Sequence, residues 1–251
     1  MAEKNVVVGR GDARRGTCVL GGPTRIIVPV LGADADTLST EVHAIAGHPH
    51  DLIEWRVDPL LAAGGDVDAA CAAVLAAADA PVLATIRTTH EGGRADLTER
   101  DYRDLVTRLA LSADAVDVEV ARPGAVDLIG AVHGAGARVI ASSHDFGGTP
   151  PREELVARLR FMEAQGADVA KVACTARTPG EVLAVLEAQV WAMEGLGIPV
   201  IAISMGRLGA LTRIAGPTLG CAATFATVGE SSAPGQLEAE RVRSALDLLG
   251  D

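Results

Sequence analysis

Residues 168–174 read Asp-Val-Ala-Lys-Val-Ala-Cys, a short apolar run with Lys171 at its centre. Seven other runs of this kind lie along the chain, at 26–31, 51–57, 82–88, 115–120, 138–143, 199–204 and 221–226. Their length and β-branched content read as buried strands. Longer Ala/Leu-rich stretches with helical periodicity separate them, near 36–47, 66–79, 98–112, 124–135, 152–165, 179–195, 207–215 and 236–249. Thr178-Pro179-Gly180-Glu181 is a capping box with proline at the first helical position. Val182, Val185, Leu186, Val190 and Met193 then mark one apolar face, as Leu155, Leu159 and Met162 do one unit earlier. Eight strand-then-helix units predict an α/β fold, a (β/α)8 TIM barrel occupying residues 1–251 as one domain. A doubly wound open sheet is the alternative, but no GxGxxG follows the first strand. VVVG and TCVLGG, within the first 22 residues, predict an N-terminal β-hairpin closing the barrel floor.

Composition narrows the function classes. The 251 residues carry a formal net charge of -11, and only 2% are aromatic. Both disfavour nucleic acid, and the charge disfavours anionic membranes. No apolar run reaches the roughly 18 residues of a membrane span. Cys18, Cys71, Cys174 and Cys221 show no CxxC spacing and read as reduced thiols, so a cytoplasmic protein is expected.

In a barrel, active sites sit at the C-terminal strand ends, so polar residues late in apolar strands are the candidates. Lys171 is either an amine whose burial favours the neutral, nucleophilic form, or a lysine whose stem packs while its head reaches water. His144, ending the fifth strand in VIASSHDF, is either a general base and acid or a histidine bonded within a loop. Glu54 and Arg56, two apart, share one strand face while Trp55 points the other way. They read as substrate ligands or as a structural ion pair. Arg87 ends the third strand, and Glu91-Gly92-Gly93 follows as a flexible carboxylate loop or a merely solvated one. Glu119 is a further inward candidate without an assigned role. Arg213 is placed to grip a carboxylate or to lie on a helix surface. Residues 230–236, with Ser232 and Gln236, form a closing loop or a plain helix start capped by Ser232. His48-Pro49-His50 reads as a surface turn, because no third metal ligand is near.

Seven stretches in order, DLIEWRVD, TIRTTHEGGR, SSHDFGGTP, GADVAKVA, ISMGRLGALTRIAG, GCAATFATVG and SAPGQ, resemble the type I 3-dehydroquinate dehydratases. The resemblance covers about residues 26 to 236. It implies a barrel without metal or cofactor, usually a homodimer, acting on a small molecule. The implied reaction removes water from 3-dehydroquinate to give 3-dehydroshikimate, in the shikimate pathway. It implies Lys171 as Schiff-base lysine, His144 as acid and base, and Glu91 as the carboxylate that orients it. It implies Glu54, Arg56, Arg87, Arg213, Ser232 and Gln236 as substrate ligands. One position departs from the pattern. Pro29, in IIVPVL, stands where many members carry serine, so a hydroxyl contact is expected to be missing. Another Schiff-base barrel lyase, such as a class I aldolase, is the alternative.

Overall fold

The computed structural model describes residues 4–229 and 231–250. Along the chain it has β1 (Val6–Val8), β2 (Cys18–Leu20), β3 (Arg25–Val30), α1 (Ala35–Ile45), β4 (Leu52–Arg56), α2 (Asp58–Ala62) and α3 (Val67–Ala77). Next come β5 (Val82–Thr85), α4 (Glu99–Ala110), β6 (Ala115–Glu119), α5 (Ala125–Gly134), β7 (Arg138–Asp145), α6 (Arg152–Ala164), β8 (Val169–Thr175) and α7 (Pro179–Gly195). β9 (Val200–Met205), α8 (Ala210–Ile214), α9 (Gly216–Leu219), β10 (Ala223–Thr227), β11 (Leu237–Glu238) and α10 (Ala239–Gly250) complete it. The strands from β3 to β11 form one parallel sheet in the order β11-β10-β3-β4-β5-β6-β7-β8-β9. The sheet curls until its ends meet, where Ala222 N–H donates to Val200 O at 2.9 Å. The eight strands β3 to β10 thus make the expected (β/α)8 barrel.

The two-residue alternation of a strand divides the core. Ile26, Val28, Trp55, Val116, Val139 and Val172 face outward and pack on helix residues such as Leu38, Val74, Val106 and Val185. Ile27, Leu52, Leu83, Ala115, Ile140, Val169 and Ile201 face inward near the strand starts. The antiparallel pair β1–β2 adds Val8, Cys18 and Leu20 to this inner cluster. The hairpin therefore covers the barrel floor, as expected. Further along the same strands the inward residues turn polar: Glu54, Thr85, Asp117, Glu119, Ser142 and Lys171 are all buried. An apolar floor below a charged mouth locates the site.

Several expected boundaries shift for local reasons. Pro59, at a first-turn position of α2, starts a helix after β4 that the hydrophobic periodicity does not show. The stretch 207–215 is broken into a 3-10 turn at Arg207–Gly209 and the short α8, with Pro217 starting α9. The last helix begins at Ala239, not near 236, because Leu237 and Glu238 pair with Ala226 and Thr227 of β10. Thr178 caps α7 as predicted, but Glu181 accepts from the Arg177 N–H at 2.6 Å rather than closing the box on Thr178. His50 and His48 meet Asp79 and Glu240, separate carboxylates, in keeping with a surface turn.

The hairpin is fixed by arginines. Arg10 donates to Ala113 O at 2.8 Å and Ala135 O at 3.1 Å, at the C-terminal ends of α4 and α5. Asp114 accepts from Arg10 N at 3.0 Å and Val82 N at 2.9 Å, and Arg15 Nε stands 3.3 Å away. This carboxylate is 2% exposed, so removing it strands two donors and a guanidinium. Asp114→Ala is expected to lower the unfolding free energy by about 2–4 kcal/mol. Urea unfolding followed by circular dichroism checks this; a midpoint equal to the parent's would mean the floor is held by packing alone.

Candidate active site

The mouth of the barrel is organised around Arg87, which lies two residues past β5 and is 3% exposed. Its Nη1 donates to Glu91 Oε2 at 3.1 Å, Glu119 Oε1 at 3.0 Å and Ser142 Oγ at 3.0 Å. Its Nη2 lies 2.8 Å from Asp117 Oδ2. Burial opposes the charge, but Asp117, Glu119 and Glu91 raise the pKa of this guanidinium above its ordinary value. Glu119 also takes both Thr88 donors, N–H at 2.9 Å and Oγ1 at 2.6 Å. The chain after Arg87 then turns back on itself. A side chain at Gly93 would place its Cβ 2.0 Å from Arg87 O, and Gly92 has a φ of +78° beside the Phe146 ring. The two glycines let Glu91 fold inward. Glu91 is 6% exposed, so the solvated-loop alternative is overturned.

Lys171 projects inward from β8 and is 4% exposed, which rules out a head group in bulk water. Its Nζ lies 3.7 Å from Asp117 Oδ2 and 4.3 Å from the centroid of the Phe225 ring. Burial lowers its pKa, with Arg87 and Arg56 pushing the same way, while Asp117 and Glu54 push it up. Asp117 is fully buried and its pKa is lowered: burial opposes, but Arg87, Lys171 and Ser142 hold the carboxylate. Its Oδ1 accepts from Ser142 Oγ at 2.6 Å. Oδ2 meets Arg87 and Lys171 by charge alone, without a directed hydrogen bond.

His144, near the end of β7, contacts Glu91 through Nδ1 at 2.8 Å. Glu91 Oε2 also accepts from the His144 backbone N–H at 3.2 Å and from Arg87. An oxygen receiving these donors acts as the acceptor towards the ring too. Nδ1 therefore carries the hydrogen, and Nε2 keeps its lone pair. Burial, with Arg87, Lys171 and Arg56, holds the imidazole pKa well below its usual value. Burial, with Glu119 and Asp117 beside it, pushes Glu91 up to about 8 against the pull of Arg87.

A cavity opens above Lys171 at the barrel mouth. Its lining includes each of the nine expected site residues: Glu54, Arg56, Arg87, Glu91, His144, Lys171, Arg213, Ser232 and Gln236. Glu54 accepts from Thr85 Oγ1 at 2.9 Å. Arg56 pairs bidentately with Asp58, at 2.7 and 2.9 Å, and not with Glu54. Arg213 is 1% exposed and bonds two carbonyls, Phe225 O at 3.2 Å and Pro234 O at 3.1 Å. Its Nε has no partner, and no carboxylate among the described residues pairs with it. Burial lowers its pKa to about 10. Such a buried, uncompensated cation calls for an anion. Ser232 and Gln236 bond each other, Gln236 Nε2 to Ser232 Oγ at 2.9 Å, so Ser232 caps no helix. Glu230, the first residue of the expected closing loop, lies outside the described residues.

A profile of type I 3-dehydroquinases matches residues 26–251. The chain belongs to this family. It is 37% identical to a 3-dehydroquinate dehydratase of Klebsiella pneumoniae over 236 residues, spanning 91% of this chain and 94% of that one. A type I 3-dehydroquinate dehydratase of Clostridium difficile, solved with covalently modified comenic acid, superposes with a TM-score of 0.90 at 30% identity, covering 99% of this chain and 98% of that one. The 3-dehydroquinate dehydratase of Geobacillus kaustophilus gives 0.85 at 34%, covering 98% and 96%.

Within the family frame, Pro29 has a visible effect on the sheet. The ladder from β3 to β10 ends at Ile27↔Phe225. Pro29 would be the next residue facing β10, and its nitrogen has no hydrogen to donate. Pro29 lines a side cleft with Thr40 and Glu41 and is absent from the lining of the central cavity. Asp117 and Phe225 escaped the sequence reading. Asp117 stands two residues before Glu119 in VDVEV, so the alternation that exposed Glu54 and Arg56 could have found it. Replacing Asp117 by Asn removes an anion that favours the ammonium form of Lys171. In D117N the midpoint for Lys171 is therefore expected to lie lower than in the parent, where it is already below that of an ordinary lysine. Competitive labelling of Lys171 against pH, read by peptide mass analysis, checks the direction; an unchanged or raised midpoint would refute the coupling.

Proposed function

We propose that the protein dehydrates 3-dehydroquinate through a Schiff base on Lys171, in the shikimate pathway. The observation that carries this reading is the amine of Lys171, buried in a cavity with the Glu91–His144 pair and an unpaired Arg213. Neutral Nζ attacks the C3 ketone, and the carbinolamine takes up one proton from solvent and loses water to leave an iminium. The iminium withdraws electrons, so the C2 proton becomes acidic. Nε2 of His144 takes that proton and the enamine forms. The enamine expels the C1 hydroxyl, to which His144 returns the proton, and water leaves. Water then hydrolyses the imine, releasing 3-dehydroshikimate and the free amine. Glu91 holds the ring tautomer and stabilises its cation in between. Arg213 clamps the C1 carboxylate. Glu54, Arg56, Arg87, Ser232 and Gln236 position the ring hydroxyls and carbonyl, and the loop through Gln236 excludes water. The covalently modified ligand of the Clostridium difficile relative supports a nucleophilic site. The Glu91–His144 pair favours elimination over the carbon–carbon cleavage of an aldolase.

We further infer one catalytic domain over residues 1–251, a homodimer as the resemblance implies, and a cytoplasmic location in keeping with four free cysteines. The charge of -11 supports a protein without a nucleic-acid partner.

Borohydride reduction in the presence of 3-dehydroquinate is expected to attach the ligand to Lys171, read by peptide mass analysis. Labelling elsewhere, or none, defeats the assignment. His144→Ala is expected to keep the adduct and lose roughly 10²–10⁴-fold in kcat. Arg213→Ala is expected to raise KM by roughly 10- to 100-fold, the loss of a charge-assisted contact. Steady-state kinetics followed by the ultraviolet absorbance of the conjugated enone product separates the two effects; an Arg213→Ala enzyme with the parent's KM would remove the carboxylate clamp.

A further inference from the structure

The chain has three phenylalanines, and one of them lies inside the barrel against a cation. Phe225 sits on β10, 5% exposed, and packs in the inner cluster with Ile203 and Met205 of β9. Its ring centroid is 4.3 Å from Nζ of Lys171, within the reach of a cation–π contact. Among the described residues the other two such contacts, Arg122 over Tyr102 and Arg160 over Trp191, involve no residue of the cavity lining. The backbone of Phe225 is pinned as well, because its carbonyl accepts from Arg213. The ring therefore has a fixed place beside the reacting nitrogen.

The need for such a ring follows from the chemistry. A protonated imine withdraws electrons strongly, and a neutral imine does so weakly. The imine can discharge by losing its N–H proton, and Arg87 and Arg56 nearby favour that loss. Asp117 opposes it from 3.7 Å. A carboxylate alone is an imperfect counterweight, since it can also accept the proton. The face of an aromatic ring attracts the cation and has no site to take the proton.

We propose that Phe225 is a catalytic residue, whose ring face keeps the Lys171 imine protonated while the C2 proton is removed. No bond to the ring forms or breaks. The proposal rests on the Schiff-base reading of Lys171.

The test replaces Phe225 in the full chain by 4-fluoro-, 3,5-difluoro- and pentafluorophenylalanine. Fluorine drains the ring face while keeping its shape nearly unchanged. The expected result is a stepwise fall in kcat, roughly 2- to 30-fold across the series, with Lys171 still labelled by substrate and borohydride. A flat series with labelling retained overturns the proposal and leaves the Schiff base standing, since the ring would then only fill space. Failure to label Lys171 in the unsubstituted protein overturns both.

Discussion

A guanidinium with too many carboxylates around it governs this site. Arg87 is met by Glu91, Asp117 and Glu119, all buried. One cation cannot hold three neighbouring anions away from water. The burden is shared unequally. Glu119 is anchored by both donors of Thr88. Asp117 leans on Lys171 and Ser142 as well as on Arg87. Glu91 accepts from Arg87 and from the backbone and ring of His144, yet burial beside the other two carboxylates pushes it up to about 8. The carboxyl bonded to His144 is thus raised, and the carboxylate beside Lys171 is lowered. One arginine links the protonation of the two groups that the proposed chemistry uses.

That arrangement depends on strand alternation. β4, β5, β6, β7 and β8 each send inward a polar residue above an apolar one. Leu52 precedes Glu54, Leu83 precedes Thr85, Ala115 precedes Asp117, Ile140 precedes Ser142, and Val169 precedes Lys171. Each pair differs by two positions, so the same period that fills the floor sets the height of the polar layer. The polar groups on these five strands are held by backbone that the floor and the outer helices fix, whereas Arg87 and Glu91 rest on the turn that follows β5.

The barrel and its floor hairpin were legible because strand and helix periods alternate clearly through the chain. The site residues on strands were legible for a related reason: a charge in an apolar strand is conspicuous. Partnerships were less so. Arg56 pairs with Asp58 because Pro59 starts a helix that turns the Asp58 carboxylate back toward Arg56, and no periodicity announces that turn. The burial of Glu91 depends on a glycine turn packing against Arg87 and Phe146. Phe225 looked like ordinary core, since only its distance from Nζ distinguishes it. The last segment misled because 236–249 has helical periodicity, yet its first residues are drawn into the sheet by free edges on β10.

The ring closes late in the chain. β3 pairs with β10, joining Arg25 to Ala223 across nearly the whole sequence. Contacts of such separation form slowly, because a long loop must be closed before they contribute. Arg213 and Phe225 both wait on that event, as does the loop that bears Gln236. A growing chain on the ribosome therefore carries Lys171 well before it carries the walls that bury the amine. An unfinished barrel leaves that lysine in water and protonated, and the amine loses its solvent only when the last strands close the ring.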